Sequence, residues 1–194
     1  MGPAYVASPT MEKIMTDTIR YAVANSSLGP IVAALSDRGL ALVEFGEMGE
    51  AELMARFPDA TLIKDPVALE DTLGKLVDLI EHSERDVDFA VDLQGSAFEL
   101  EVWRALRQIP AGSTVTYGEL AARLGVPRQA REVGEACAAN KLAVVVPCHR
   151  VVKKDGSIAG YRWGFSRKRT LLEREHRARL LRPSVAIPHG AANL

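Results

Sequence analysis

Cysteine, histidine and arginine stand side by side at Cys148, His149 and Arg150, directly after Pro147. Those residue types in that order can do nucleophilic chemistry. A thiol attacks poorly until it loses its proton, and a neighbouring imidazole or guanidinium favours the thiolate. Pro147 fixes one backbone angle and removes one amide donor, so the cysteine after it is held in place. The plainer reading is a buried structural cysteine that happens to precede two basic residues. Residue type alone leaves both open. The surroundings are distinctive: an apolar run at 142–146, then Val151 and Val152, a polar turn at 153–156, and Gly160-Tyr161-Arg162-Trp163-Gly164.

Other chemistries fit less well. Cys137 and Cys148 are the only cysteines in 194 residues, too few for a disulfide framework. None of the four histidines has zinc-finger spacing to a cysteine pair, so no metal is expected. No apolar run approaches the roughly 20 residues that span a bilayer, and the N-terminus lacks a basic start followed by an apolar core. The cytoplasm is therefore the expected location, with no membrane partner. The net charge of −1 conceals a polarity: from Phe98 to Arg182 there are 17 Lys or Arg against 8 Asp or Glu, which leaves the remainder strongly acidic. Such asymmetry points to a polyanion beside the basic half, with a solvated basic face as the bland alternative.

The elements that must position these residues follow from periodicity. Residues 1–16 have no clear period and read as a flexible leader. Alternating β-formers at 18–24 and two further strands at 28–35 and 40–45, joined by short turns, predict an antiparallel meander. A short helix at 50–57, a strand at 61–63, a helical stripe at 67–80 and a further alternating segment at 87–93 complete an N-terminal unit ending near 92–96. Beyond it, Phe98, Val102, Trp103, Leu106 and Ile109 lie at helical spacing. Thr116 and Glu119 form a capping box that opens a helix over 117–124. Gly125-Val126-Pro127 is a tight turn, and Pro127 suits the first position of a second helix running to about Asn140. Helix, glycine turn and helix make a helix-turn-helix pattern, in which the start of the second helix faces a DNA groove. That start carries Arg128 and Arg131, with Glu132 and Glu135 expected on another face. The last helix is predicted over 165–181, with Ser166 as N-cap and Leu171, Leu172 and Leu180 inward. Residues 183–194 read as a disordered tail.

The Pro147-Cys148-His149-Arg150 core with its flanking valines, Thr116-Tyr117, Ala138-Ala139-Asn140-Lys141, Tyr161-Arg162-Trp163-Gly164 and Leu171-Leu172-Glu173-Arg174-Glu175 together resemble the 6-O-alkylguanine-DNA alkyltransferases. The likeness runs from about Gly95 to Glu175 and is strongest to the alkyltransferase half of bacterial Ada-type proteins. It implies an α+β fold: a small ribonuclease-H-like N-terminal domain over 17–94, and a mostly helical, winged-helix-like C-terminal domain with the helix-turn-helix over 95–182. It implies a partner, double-stranded DNA carrying 6-O-methylguanine, with 4-O-methylthymine as a further candidate. The protein would act as a monomer, without a cofactor.

The resemblance also implies roles. Cys148 would be the nucleophile and alkyl acceptor, His149 its base through a water, and Glu175 the group that orients His149. Asn140 would cap the turn around an active-site strand. Arg131 would fill the space left by a base rotated out of the stack, and Tyr117 would press on the neighbouring phosphate and hydrogen-bond the extruded guanine. Backbone groups at Cys148, Val151 and Ala159, with Tyr161 and Arg162, would line the guanine pocket. Pro147 and Arg150 would be structural, Arg150 bracing the two domains by an ion pair. The thioether product is stable, so one molecule would repair one lesion. Two features depart from the family pattern: zinc ligands known from animal members have no counterparts, and Glu132 follows Arg131 where an acid is unexpected. The rival readings are a helix-turn-helix module that senses alkylated DNA without chemistry, and a cysteine hydrolase. The latter lacks an oxyanion-hole motif.

Overall fold

The computed structural model describes residues 17–85 and 87–181. The expected leader at 1–16 and tail at 183–194 lie outside them. Strands β1 (Thr18–Ser26), β2 (Gly29–Ser36) and β3 (Gly39–Phe45) form the antiparallel meander. Helix α1 (Glu50–Arg56) follows, and β4 (Thr61–Lys64) returns parallel to β1, giving the order β3-β2-β1-β4. Alternation along β2 divides the interior in two. Ile31 and Ala33 face a large core that also holds Leu73, Leu76 and Ile80 of α2 (Glu70–Glu81), while Val32 and Ala34 face a smaller one closed by Leu53 of α1.

The second half is helical: α3 (Ala97–Arg107), α4 (Tyr117–Arg123), α5 (Ala130–Ala138) and α6 (Phe165–Leu181). A two-residue parallel pair, β5 (Val115–Thr116) with β6 (Val151–Val152), ties the start of α4 to the segment after Cys148. Its core is continuous with the larger sheet core. No helix among the described residues is long and apolar enough to cross a membrane.

The outer edge of β3 joins the halves. A bare edge would present unpaired amides and carbonyls. Here Leu40 N–H donates to Ala90 O (2.9 Å), and Asp92 N–H to Leu40 O (2.9 Å). Three residues along the strand, Val43 N–H donates to Lys141 O (2.9 Å), and Ala143 N–H to Val43 O (3.0 Å). The strand that completes the N-terminal sheet therefore also anchors the segment leading to Cys148. Gly39 makes the approach possible, since its φ is +134° and a Cβ there would lie 2.5 Å from Ala90 O.

Several expectations are corrected. Residues 87–93 alternate but form no strand; Val91 makes a single bridge to Leu40, because β3 shares its edge with 141–143. Helix α2 starts at Glu70 rather than 67, because Asp65 Oδ1 accepts from Ala68 N–H (3.0 Å) and draws 65–69 into a turn. Helix α5 starts at Ala130, three residues after Pro127, because Gln129 N–H bonds back to Val126 O (2.9 Å) in a turn. Ser166 lies inside α6 rather than capping it, and Leu180 is 72% exposed rather than inward.

Candidate active site

Residues 140–147 form a folded loop. Val144 has φ +60°, rare for a β-branched residue, and Val145 N–H bonds back to Ala143 O (2.7 Å) around it. Pro147 sits at φ −80°, ψ 59°, and Cys148 N–H bonds back to Val146 O (2.8 Å). Two tight turns thus bring the thiol to the start of a 3-10 turn, Cys148–Arg150. Asn140 holds both together. Its Oδ1 accepts from Leu142 N–H (2.9 Å), and its Nδ2 donates to Val146 O (2.9 Å) and to Cys148 Sγ (3.2 Å).

Behind the cysteine lies a buried ionic cluster. His149 and Glu175 are each 1% exposed, and His149 Nε2 is 2.9 Å from Glu175 Oε1. Arg150 grips the same carboxylate through Nε and Nη2 (3.0–3.2 Å) and donates from Nη1 to Ile109 O (2.5 Å). Gly112 N–H donates to Glu175 Oε2 (2.9 Å). Arg150 therefore pairs within 95–182 and does not reach across to an N-terminal acid. Burial works to raise the Glu175 carboxyl, but the hydrogen bond from His149 and the charge of Arg150 hold it below its ordinary range. Burial lowers His149 more than Glu175 raises it, so the ring is neutral near pH 7. An ionised Glu175 then requires the proton on Nε2, which leaves Nδ1 bare. Nδ1 is buried and has no hydrogen-bond partner among the described residues.

Cys148 is 5% exposed. Burial pushes its thiol up to about 11, against the pull of Asn140, of the Lys168 charge and of Arg162. The resting group is thus a thiol that needs a base, and the bare Nδ1 of His149 is a base one residue away. The sulfur opens on a cavity of about 340 Å³ lined by Tyr117, Gly134, Cys137, Ala138, Cys148, Gly160, Tyr161 and Arg162. The Tyr161 hydroxyl is buried and has no hydrogen-bond partner among the described residues. Burial, with the two cysteines, pushes Tyr117 up to about 12, so it stays a hydrogen-bond donor. Val151 and Ala159 do not line the cavity: both are buried, and the Val151 carbonyl accepts from Lys168 Nζ (2.6 Å).

The helix pair α4–α5 forms the other side. The capping box is present, with Thr116 Oγ1 accepting from Glu119 N–H (3.1 Å) and Glu119 Oε2 from Thr116 N–H (2.7 Å). Arg128 lies exposed in the turn before α5, and Arg131 in its first turn with a side chain 88% exposed. Glu135 shares the face of Arg131 and pairs with it (3.1 Å), contrary to the expectation that it would face elsewhere.

Comparison with known proteins bears on this arrangement. A family model described as 6-O-methylguanine DNA methyltransferase, DNA binding domain, matches residues 97–177. The methylated-DNA–protein-cysteine methyltransferase of Mycobacterium bovis is 36% identical over 157 residues, covering 81% of this chain and 92% of that protein. The chain belongs to the methylated-DNA–protein-cysteine methyltransferase family. The Ada protein of Escherichia coli, a bifunctional transcriptional activator and DNA repair enzyme, is 41% identical over 81% of this chain. The chain spans only 45% of that relative's length. Among solved structures, Mycobacterium tuberculosis OGT in complex with DNA matches with a TM-score of 0.72 and 34% identity, covering 81% of this chain and 93% of that one. The mixed α/β architecture described above, with six helices and a small sheet among the described residues, is thus the architecture of this family.

Three residues of this methyltransferase-family site escaped the sequence reading. Lys168 is 0% exposed, and its signal was present: with Leu171 and Glu175 it forms the buried stripe of α6. Cys137 shares the cavity with Cys148, as its place one turn after Val133 on the buried face of α5 allows. Glu44, 6% exposed, is the one charged residue in the otherwise apolar β3.

Proposed function

We propose that this protein repairs DNA by transferring the alkyl group of 6-O-methylguanine irreversibly to Cys148. The observation that carries this is a buried thiol opening on a base-sized cavity, next to a neutral histidine whose Nε2 is bound to a buried glutamate and whose Nδ1 is bare. His149 takes the thiol proton through a water, and Glu175 fixes the ring and stabilises the cation that forms. The sulfur–carbon bond forms as the carbon–oxygen bond breaks. The electron pair stays on guanine and the proton is returned there, so the reaction balances without a cofactor. Asn140 supports the sulfur throughout.

A guanine inside a duplex cannot reach this cavity, so it must be rotated out of the stack at a cost of a few kcal/mol. The exposed Arg131 takes its place, Arg128 contacts the phosphates, and Tyr117 and the unpartnered Tyr161 hydroxyl meet the flipped base at the cavity wall. In this reading 17–94 is a ribonuclease-H-like domain and 95–182 a winged-helix-like one, acting together as a monomer on double-stranded DNA.

The test is a single-turnover incubation with duplex DNA carrying methyl-labelled 6-O-methylguanine, followed by peptide mapping. Label should reach the Cys148 peptide, at most one per chain, and Cys148→Ala should bind the duplex yet accept none. Tight binding with intact lesions would instead support a non-catalytic sensor. Continued turnover would refute stoichiometric transfer.

A further inference from the structure

A carboxylate in the interior is costly unless it is paired and hydrogen-bonded. Glu44 sits in β3 between buried Val43 and buried Phe45, remote in sequence from every residue assigned a chemical role above. Its partners come from the far end of the chain. Arg162 Nη2 donates to Oε1 at 2.7 Å, and the Trp163 indole N–H donates to Oε2. Arg56, at the end of α1, adds an outer ion pair at 3.7 Å.

Both inner partners lead to the cavity. Arg162 lines it beside Cys148, and its Nη1 reaches the Asn140 carbonyl at 3.5 Å. Asn140 in turn donates to the Cys148 sulfur. The Trp163 ring meets Tyr161 edge-on, with centroids 5.0 Å apart, and Tyr161 forms the cavity wall next to Arg162. The adjacent residue on the strand completes the grip, since the backbone of Val43 holds Lys141 and Ala143 just upstream of the cysteine. Two consecutive strand residues thus fix both chain segments that flank the thiol, one through its backbone and the other through its carboxylate.

We propose that Glu44 is a positioning residue for alkyl transfer: it fixes Arg162 and Trp163 so that Tyr161 and Arg162 form a rigid wall seating the substrate base in line with the thiol. The inference rests on Cys148 being the alkyl acceptor. It gives the N-terminal sheet a part in the reaction although none of its side chains lines the cavity. A clamp serving folding alone would lower stability and leave the chemical step unchanged. A positioning clamp must change the transfer rate at saturating DNA, because misplacing a reacting group by about 1 Å can cost on the order of a hundredfold.

The experiment uses the full chain and duplex DNA with methyl-labelled 6-O-methylguanine. For wild type, Glu44→Gln, Arg162→Gln and the double variant, the transfer rate at saturating DNA is measured separately from affinity for the undamaged duplex, well below each thermal midpoint. Glu44→Gln should slow saturated transfer by about tenfold or more while leaving undamaged-duplex affinity within about twofold. The double variant should be no slower than the slower single variant, because the two residues act through one contact. An unchanged saturated rate in Glu44→Gln, or losses that multiply in the double variant, overturns the inference while label on wild-type Cys148 leaves the alkyl-acceptor reading intact. Absence of label on the wild type overturns both. Should Glu44→Gln fail to fold, Arg162→Gln, at a partly exposed position, carries the test, and an unchanged saturated rate there overturns the proposal equally.

Discussion

At Cys148 burial and reactivity oppose each other. The site that can enclose a base also raises the thiol to about 11, so at neutral pH the nucleophile is protonated and its reactivity depends on His149. Burial keeps that imidazole below its ordinary value of 6.5, with Glu175 pulling the other way, and the base form therefore persists into mildly acidic solution. Saturated transfer should be flat through neutral pH and fall only below 6.5; a limb above 6.5 in a pH–rate profile would contradict a buried neutral histidine. Glu175 is the residue on which the cluster depends, since removing its charge leaves the Arg150 guanidinium, with a side chain 8% exposed, without its anion. Glu175→Gln should therefore cost about 3–5 kcal/mol in urea unfolding, beyond its effect on transfer. A loss comparable to that of an exposed ion pair would show that Arg150 finds another partner.

Among the elements, those with a repeating local pattern could be read in advance and those fixed by distant contacts could not. The strands of the meander were legible because short apolar, β-forming runs are separated by turn residues, and the extent of α6 because a charged run without Gly or Pro lies between Gly164 and Pro183. Residues 142–146 were not, because an apolar run is compatible with strand, helix or buried loop. There the local conformation is set by Asn140 side-chain bonds and by β3, neither of which leaves a periodic trace. Lys168 and Glu44 were passed over for the opposite reason: each is a charge at an inward position, where pattern alone predicts an apolar side chain, and each is explained by a partner far along the chain. The edge contact itself is testable. Gly39→Ala places a Cβ 2.5 Å from Ala90 O at a φ of +134°, and should cost on the order of 1–3 kcal/mol, seen as a lower urea midpoint with an unchanged slope. An unchanged midpoint would mean that 90–92 can leave the strand edge freely.

Across the whole molecule, the charge polarity and the buried titrating groups make separate predictions. The basic excess between Phe98 and Arg182 should make duplex affinity fall steeply and linearly on a log–log salt plot, and a flat response would remove phosphate contacts from the account. Stability should be lost towards both extremes of pH, for reasons that can be assigned. His149 and Glu175 have folded values below their ordinary 6.5 and 4.5, so on acidification the unfolded chain takes up those protons first, and stability declines below 6.5 and again below 4.5. At high pH the order reverses. The unfolded thiol of Cys148 ionises near 9.0, whereas the folded one holds its proton to about 11, so stability is fully present below 9.0 and is lost as pH rises towards 11. Tyr117 adds to this from 10.0 towards 12. Cys148→Ala removes one of these groups and should flatten the alkaline decline between 9.0 and 11 while leaving the acid decline intact. Methylation of Cys148 by the lesion should flatten it in the same way, because a thioether has no proton to lose. Equal alkaline slopes for wild type and Cys148→Ala in urea unfolding would show that burial does not hold the thiol protonated, and the requirement for His149 as its base would fall with it.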